Sequence, residues 1–159
     1  MNGFVGGWEL SSIFHVRSGV PTTIVMGYDG AGVGSGQWRP NQVADPNSGT
    51  CPNGAAVHTM NCWFNTSAFA TPSSGTFGNL GRNTIYGPKW EDVDVSLLKN
   101  IPLRMLGEGG NLQFKASATD IFNHPNLGMP DSTYTDGGFG VISYANTSRQ
   151  LQLGVKISF

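Results

Sequence analysis

Charge is scarce in this chain: only 12% of its 159 residues are Asp, Glu, Lys or Arg, the net charge is -1, and Lys and Arg never form a run. The electrostatic footprint that nucleic acid or an anionic membrane surface would need is missing, so no nucleic-acid partner is expected. Long apolar runs are missing too. No stretch approaches the ~18 apolar residues of a membrane helix, and the start "MNGFVGGWEL" lacks a basic n-region, an apolar h-region and a small-residue cleavage site. Met1 therefore reads as a boundary within a longer reading frame or the start of a fragment.

What replaces charge is Gly, with 23 residues, together with Ser, Thr, Asn and Gln, while hydrophobic residues make up 38%. That composition favours an all-β, loop-rich protein over a helical one. The chain ends in "RQLQLGVKISF", where Leu151, Leu153, Val155, Ile157 and Phe159 share one parity and Gln150, Gln152, Gly154, Lys156 and Ser158 the other. A two-residue period is strand periodicity: one face is apolar and the other tolerates water. A half-buried strand of a sandwich fits this pattern, and so does a barrel strand between lipid and an aqueous lumen.

The same design recurs upstream. In "NLQFKASATDIF" Leu112, Phe114, Ala116 and Ala118 oppose Gln113, Lys115, Ser117 and Thr119, and in "KWEDVDVSLLKN" Val93, Val95 and Leu97 oppose Asp92, Asp94 and Ser96. In "GWELSSIFHVRSG" Trp8, Leu10, Phe14 and Val16 oppose Glu9, His15 and Arg17, with Ser12 and Ile13 breaking the pattern. "VPTTIVMGY" reads as a shorter strand. The expectation is an all-β antiparallel sheet of about five or six strands with long loops, part of a large barrel or an open, strand-complemented β-domain. Strands are placed near residues 7–17, 20–27, 90–100, 111–122 and 149–159 of a single β-domain covering 1–159, and "FGVIS" is a candidate for a short extra one. The links "RSGVP" and "PLRMLGEGGN" read as tight turns, whereas 28–88 and 123–148 read as long loops. Tight turns then lie at one end of the sheet and long loops at the other, as in membrane barrels.

Cys51 and Cys62 bracket ten residues of a Gly/Pro/Asn-rich loop, "CPNGAAVHTMNC". A disulfide is the expected state. His58 between them leaves open a metal site, although three soft ligands without a fourth are an incomplete set, and two free thiols are the third reading. Asn65 and Asn146 each begin an "NTS" triplet, a possible glycosylation acceptor. The glycines of "GAGVGSGQ" lack dinucleotide spacing and read as loop.

No catalytic or cofactor-binding constellation emerges, no metal site is assigned, and the chain is not expected to be an enzyme. Glu91, Asp92 and Asp94 form an acidic cluster that an acid/base pair could use, but solvated residues on a polar face are the expected reading. His15, His58 and His124 share no ligand or triad spacing. Trp38, Trp63 and Phe64 are expected to pin the long loops onto the sheet or to sit in an interfacial aromatic girdle, with carbohydrate stacking as the alternative and a glycan as a possible partner.

Taken in order, "GGWELSSIFHVRSGVPTTI", "RPNQVADP", "WFNTSAFATPSSGTFGNLGRNTIYGP", "WEDVDVSLLKNIPL", "LQFKASATDIFNHPNLGMP" and "RQLQLGVKISF" resemble the C-terminal end of TonB-dependent receptor barrels of the Oar-like type, over nearly the whole chain. The resemblance implies the last strands and outer loops of a large bacterial outer-membrane barrel. It further implies that Val155, Ile157 and Phe159 match the terminal signal read by the barrel-assembly machinery. The signal peptide, plug, TonB-contacting segment and earlier strands of such a receptor are not among these residues. Five or six strands cannot close a barrel, since the smallest membrane barrels use about eight and transporters of this kind about 22. An open sheet in lipid would expose about ten unpaired N–H and C=O groups, each costing several kcal/mol, and is excluded.

Two partners for the sheet edges follow: the rest of the barrel, with outer-membrane lipid against the apolar face, or neighbouring copies of the chain. The second defines an alternative role as a secreted, extracellular fibre or adhesion subunit that polymerises by strand complementation.

Overall fold

The computed structural model describes residues 5–34, 38–107 and 109–159. Among the described residues, eight strands occur in the order β1 (Trp8–Arg17), β2 (Pro21–Thr22), β3 (Asn41–Gln42), β4 (Phe69–Ala70), β5 (Ile85–Tyr86), β6 (Trp90–Pro102), β7 (Asn111–Thr119) and β8 (Gln150–Ser158), with single 3-10 turns at Thr66–Ala68 and Arg104–Leu106. The architecture is all-β, and no described helix is long and apolar enough to cross a membrane. The chain divides into two compact units.

The first unit combines residues 1–17, 90–125 and 147–159 around a four-stranded antiparallel sheet in the order β1-β6-β7-β8. Its strands are those with sustained two-residue alternation, and their register keeps that alternation in phase across the sheet. Leu10 faces Leu97, Leu97 faces Ala116, and Ala116 faces Leu153. A slip of one residue at any pair would turn an entire strand inside out, which is why the pattern specifies the register so strongly. The tight turn between β6 and β7 is closed by the Leu103 N–H donating to the Gly110 carbonyl. The two long segments both leave and re-enter at the opposite end, beside the Arg17–Trp90 and Thr119–Gln150 pairs.

The strand expected over 20–27 does not join this sheet. Only Pro21 and Thr22 pair, with β5, and Val25 makes an isolated parallel bridge to Thr133. The reason is burial: Ile24 and Met26 are fully enclosed within the second unit, and the Val25 and Met26 N–H groups donate to the Ser132 and Trp38 carbonyls rather than to a neighbouring strand. "RSGVP" is therefore the exit from the sheet, not a hairpin turn, and β1 pairs directly with β6. "FGVIS" also forms no strand, because Val141 N–H closes a turn onto Gly138 and Ile142 N–H goes to Met60. β7 stops at Thr119, three residues early, because Asp120 adopts φ 49°, a left-handed conformation that ends a strand and that Asp tolerates better than most residues.

The second unit comprises residues 18–89 and 126–146, the stretches expected as loops. They share an apolar centre of Ile24, Phe64, Ala68, Phe69, Leu80 and Ile85, with Trp63, Tyr134 and Phe139 packed around it. Phe64, Phe69, Phe139 and Tyr134 meet edge to face at centroid separations of 5.1–5.9 Å, the arrangement that ring quadrupoles favour. Little regular strand is needed to hold it: the backbone is satisfied by long-range bonds such as Trp63 N–H to Gly140 O at 2.7 Å and Asn65 N–H to Pro46 O at 2.7 Å.

Candidate functional site

The sheet has two chemically opposite faces. Register places Leu10, Phe14, Val93, Val95, Leu97, Ile101, Leu112, Phe114, Ala116, Ala118 and the apolar residues of β8 together on one side. No layer covers β8: Leu151 is 72% exposed and Leu153 83%. A water-soluble sheet buries such a face against a second layer, so the uncovered face is the anomaly that calls for a function. β1, β7 and β8 are ten, nine and nine residues long, against the roughly 9–11 residues with which a tilted strand crosses a bilayer.

The other face is polar, with Glu9, His15, Asp92, Asp94, Asn100, Gln113, Lys115, Gln152 and Lys156 in register. Asn100 Oδ1 accepts from Gln113 Nε2 at 2.9 Å and from Asn111 Nδ2 at 3.4 Å, so amides bridge neighbouring strands along it. At the long-segment end Arg17 lies 4.9 Å above the Trp90 ring, directly across the β1/β6 pair. The outer edges of β1 and β8 pair with no described strand.

Ser12, Glu91 and Lys99 interrupt the apolar face. Ser12 Oγ donates to the Asp94 carbonyl at 3.1 Å. Lys99 is 93% buried by its neighbours, being 7% exposed, with its ammonium 4.8 Å over the Trp8 ring and donating to the Gly6 carbonyl. The stem thus lies along apolar surface while the charge is drawn towards the tight-turn end. Lys99 escapes a reading that ends the alternation at Leu97, yet it has the same parity as Val93, Val95 and Leu97, which is the signal that would have found it.

The acidic cluster is not a row of solvated side chains, because Asp92 and Asp94 are half-buried. Asp94 Oδ1 accepts from the Asp120 N–H at 3.1 Å, and Asp120 Oδ1 accepts from the His124 N–H at 3.0 Å. Asn123 Oδ1 then accepts from the Arg149 N–H at 3.1 Å, and Arg149 Nη1 donates to Ile121 O. These bonds clasp β6, the exit of β7 and the approach to β8 together. Asp92 Oδ1 and Asp120 Oδ2 are enclosed without a hydrogen-bond partner. No group of three His, Cys, Asp or Glu suited to a metal occurs among the described residues, and His15, His58 and His124 fall on β1, the cysteine loop and the β7 exit.

Cys51 and Cys62 are joined in a disulfide, with Cα atoms 6.0 Å apart. The bridge closes a small loop in which Thr59 and Cys62 exchange backbone hydrogen bonds. His58, with φ 64°, stands edge-on to Trp63 at 5.4 Å, and Trp63 Nε1 donates to Tyr86 O at 2.7 Å. Trp38 and Phe64 are core residues, 4% and 1% exposed. Asn65 Nδ2 donates to Ser48 O, and its Oδ1 caps the Thr66–Ala68 turn through Ser67 N–H. Asn146 Nδ2 donates to Asn126 O. Val155, Ile157 and Phe159 follow one another along the apolar parity of β8, and Phe159 is 93% exposed.

No curated protein and no solved structure is matched by this chain. Residues 1–152 match the family described as an outer membrane beta barrel domain. An uncovered apolar face, strands of bilayer-crossing length, a polar reverse face and open edges are the features that such a wall requires, and the chain belongs to the outer membrane beta barrel domain family.

Proposed function

We propose that this chain is the closing wall of a TonB-dependent outer-membrane receptor, with β1, β6, β7 and β8 among its last strands and residues 18–89 and 126–146 as its outer loops. The observation that carries this reading is the combination of an uncovered apolar face with two outer edges that pair with no described strand. In lipid the face needs no second layer, and the edges need the preceding and first strands of the same barrel. The polar face then lines the lumen. The tight turn at residues 103–110 lies on the periplasmic side and the long segments outside, following the turn-and-loop asymmetry of such barrels. The sheet alone transports nothing, because four strands do not enclose a lumen.

The test is to isolate the polypeptide containing this chain from outer membranes and probe it with the purified periplasmic domain of TonB. The expected result is a detergent-requiring protein longer than this chain that binds the TonB domain. A detergent-requiring barrel without TonB binding would remove the receptor assignment and leave the outer-membrane wall. Recovery in detergent-free filaments would favour the other use of open edges, an extracellular fibre completed strand by strand.

A further inference from the structure

Asn53 is the only asparagine among the described residues that is followed by glycine. In that pairing an asparagine side chain reacts most readily with its own backbone, because glycine puts no Cβ in the way of the attack. Nothing shields the pair sterically: Asn53 and Gly54 are both exposed, and a Cβ built on Gly54 would meet no atom within 4 Å. Protection is left to conformation. The Gly54 N–H, which must give up its proton before its nitrogen can attack, donates to Cys51 O at 2.8 Å. The Asn53 carboxamide is held at both ends, its Oδ1 accepting from the Ala55 N–H at 3.0 Å and its Nδ2 donating to Asn61 O at 3.3 Å. All three bonds lie inside the segment that the Cys51–Cys62 bridge closes, so loop closure is the constraint that keeps them together.

We propose that Asn53 is a deamidation site whose rate is set by the Cys51–Cys62 bridge, so that the loop keeps a covalent record of having been opened. A thiol reductant opens the bridge, supplying two electrons and two protons and ending as its own disulfide. With the loop free, the deprotonated Gly54 nitrogen attacks Asn53 Cγ. A C–N bond forms there, and the Cγ–Nδ2 bond breaks with ammonia as the leaving group. Water then opens the cyclic imide to aspartate or isoaspartate. The change is one-way, because ammonia departs and a carboxylate stands opposite the Asn61 carbonyl where an N–H donor stood, so the original bonding does not return. While the bridge is closed, the same attack requires the Gly54 bond to Cys51 and both side-chain bonds of Asn53 to break within a tethered turn.

The experiment incubates the full polypeptide containing this chain, in detergent at neutral pH, and follows conversion at Asn53 by peptide mass spectrometry. Three forms are compared: the bridged parent, the parent held reduced by a thiol, and Cys51→Ala with Cys62→Ala. The alkylated peptide CPNGAAVHTMNC supplies the unrestrained rate. The bridged parent should convert about 30-fold more slowly than either opened form, the lower end of what closing a loop of this size is worth, and the opened forms should approach the peptide. Should the double variant lose its fold, seen as cleavage throughout residues 18–89 in limited proteolysis, the reduced parent carries the comparison, since it keeps every side chain. Conversion in the bridged parent as fast as in the peptide overturns the protection, and an opened loop that converts no faster than the bridged one overturns the control by the bridge. Neither result bears on the receptor reading, which rests on the sheet.

Discussion

The backbone N–H of Asp120 donates to Asp94 Oδ1 at 3.1 Å, binding the end of β7 to the middle of β6 just where the chain turns left-handed at Asp120. Asp120 is buried, so removing the acceptor leaves an enclosed donor unpaired. Asp94→Ala is expected to lower stability by about 1–3 kcal/mol, and Asp94→Asn, which keeps an amide oxygen at the same place, by less. Urea unfolding of the detergent-solubilised barrel checks this, and equal losses in the two variants would remove the hydrogen bond as the cause.

The disulfide makes a separate prediction for the loop module. Cys51 and Cys62 are eleven residues apart, and closing a loop of that size is worth about 2–3 kcal/mol on the chain-entropy account. Cys51→Ala with Cys62→Ala should lower the midpoint of loop unfolding without affecting the sheet. Non-reducing mass spectrometry should find one linked peptide, whereas two freely alkylated thiols would contradict the structure.

Phe64 is 1% exposed and touches Phe69 and Phe139 edge to face. Phe64→Ala is expected to cost about 3–5 kcal/mol by leaving a cavity at the centre of the module. Limited proteolysis within residues 18–89 should accelerate accordingly, while cleavage unchanged from the parent would mean that this aromatic centre does not hold the loops.

Asp29 gives the pH prediction. Backbone N–H groups of Gly34 foremost, then Val33 and Gly32, donate to its carboxylate and hold its pKa below the ordinary aspartate value. Because the folded value is the lower one, the turn's ordering is complete above the unfolded-state pKa and is lost as pH falls through the folded one. The Gly32 and Gly34 amide resonances should titrate with a midpoint below that of an unstructured aspartate, and a midpoint at or above it would contradict the capping geometry.

How far the residues announced this outcome depends on whether the constraint was local. The faces of β1, β6, β7 and β8 follow from parity alone, because alternation is written in consecutive residues and the register must preserve it. "VPTTIVMGY" has the β-branched composition of a strand, but Ile24 is claimed by a core assembled from Phe64, Phe69, Leu80 and Ile85. Those partners lie forty or more residues away, and no local pattern reveals them. The stop at Asp120 was equally invisible, since a left-handed Asp shows itself only through the Asp94 and His124 bonds that fix it. The apolar wall was legible, whereas the Lys99–Trp8 pair within it required the register.

The most direct test of the wall is single-cysteine scanning of β8 in the assembled outer membrane, after replacement of Cys51 and Cys62 by Ala. A membrane-impermeant maleimide should modify cysteines at 150, 152, 154 and 156, which line the lumen, and spare those at 151, 153, 155 and 157, which face lipid. Uniform modification along the strand, or modification of the odd-numbered set, would contradict the account.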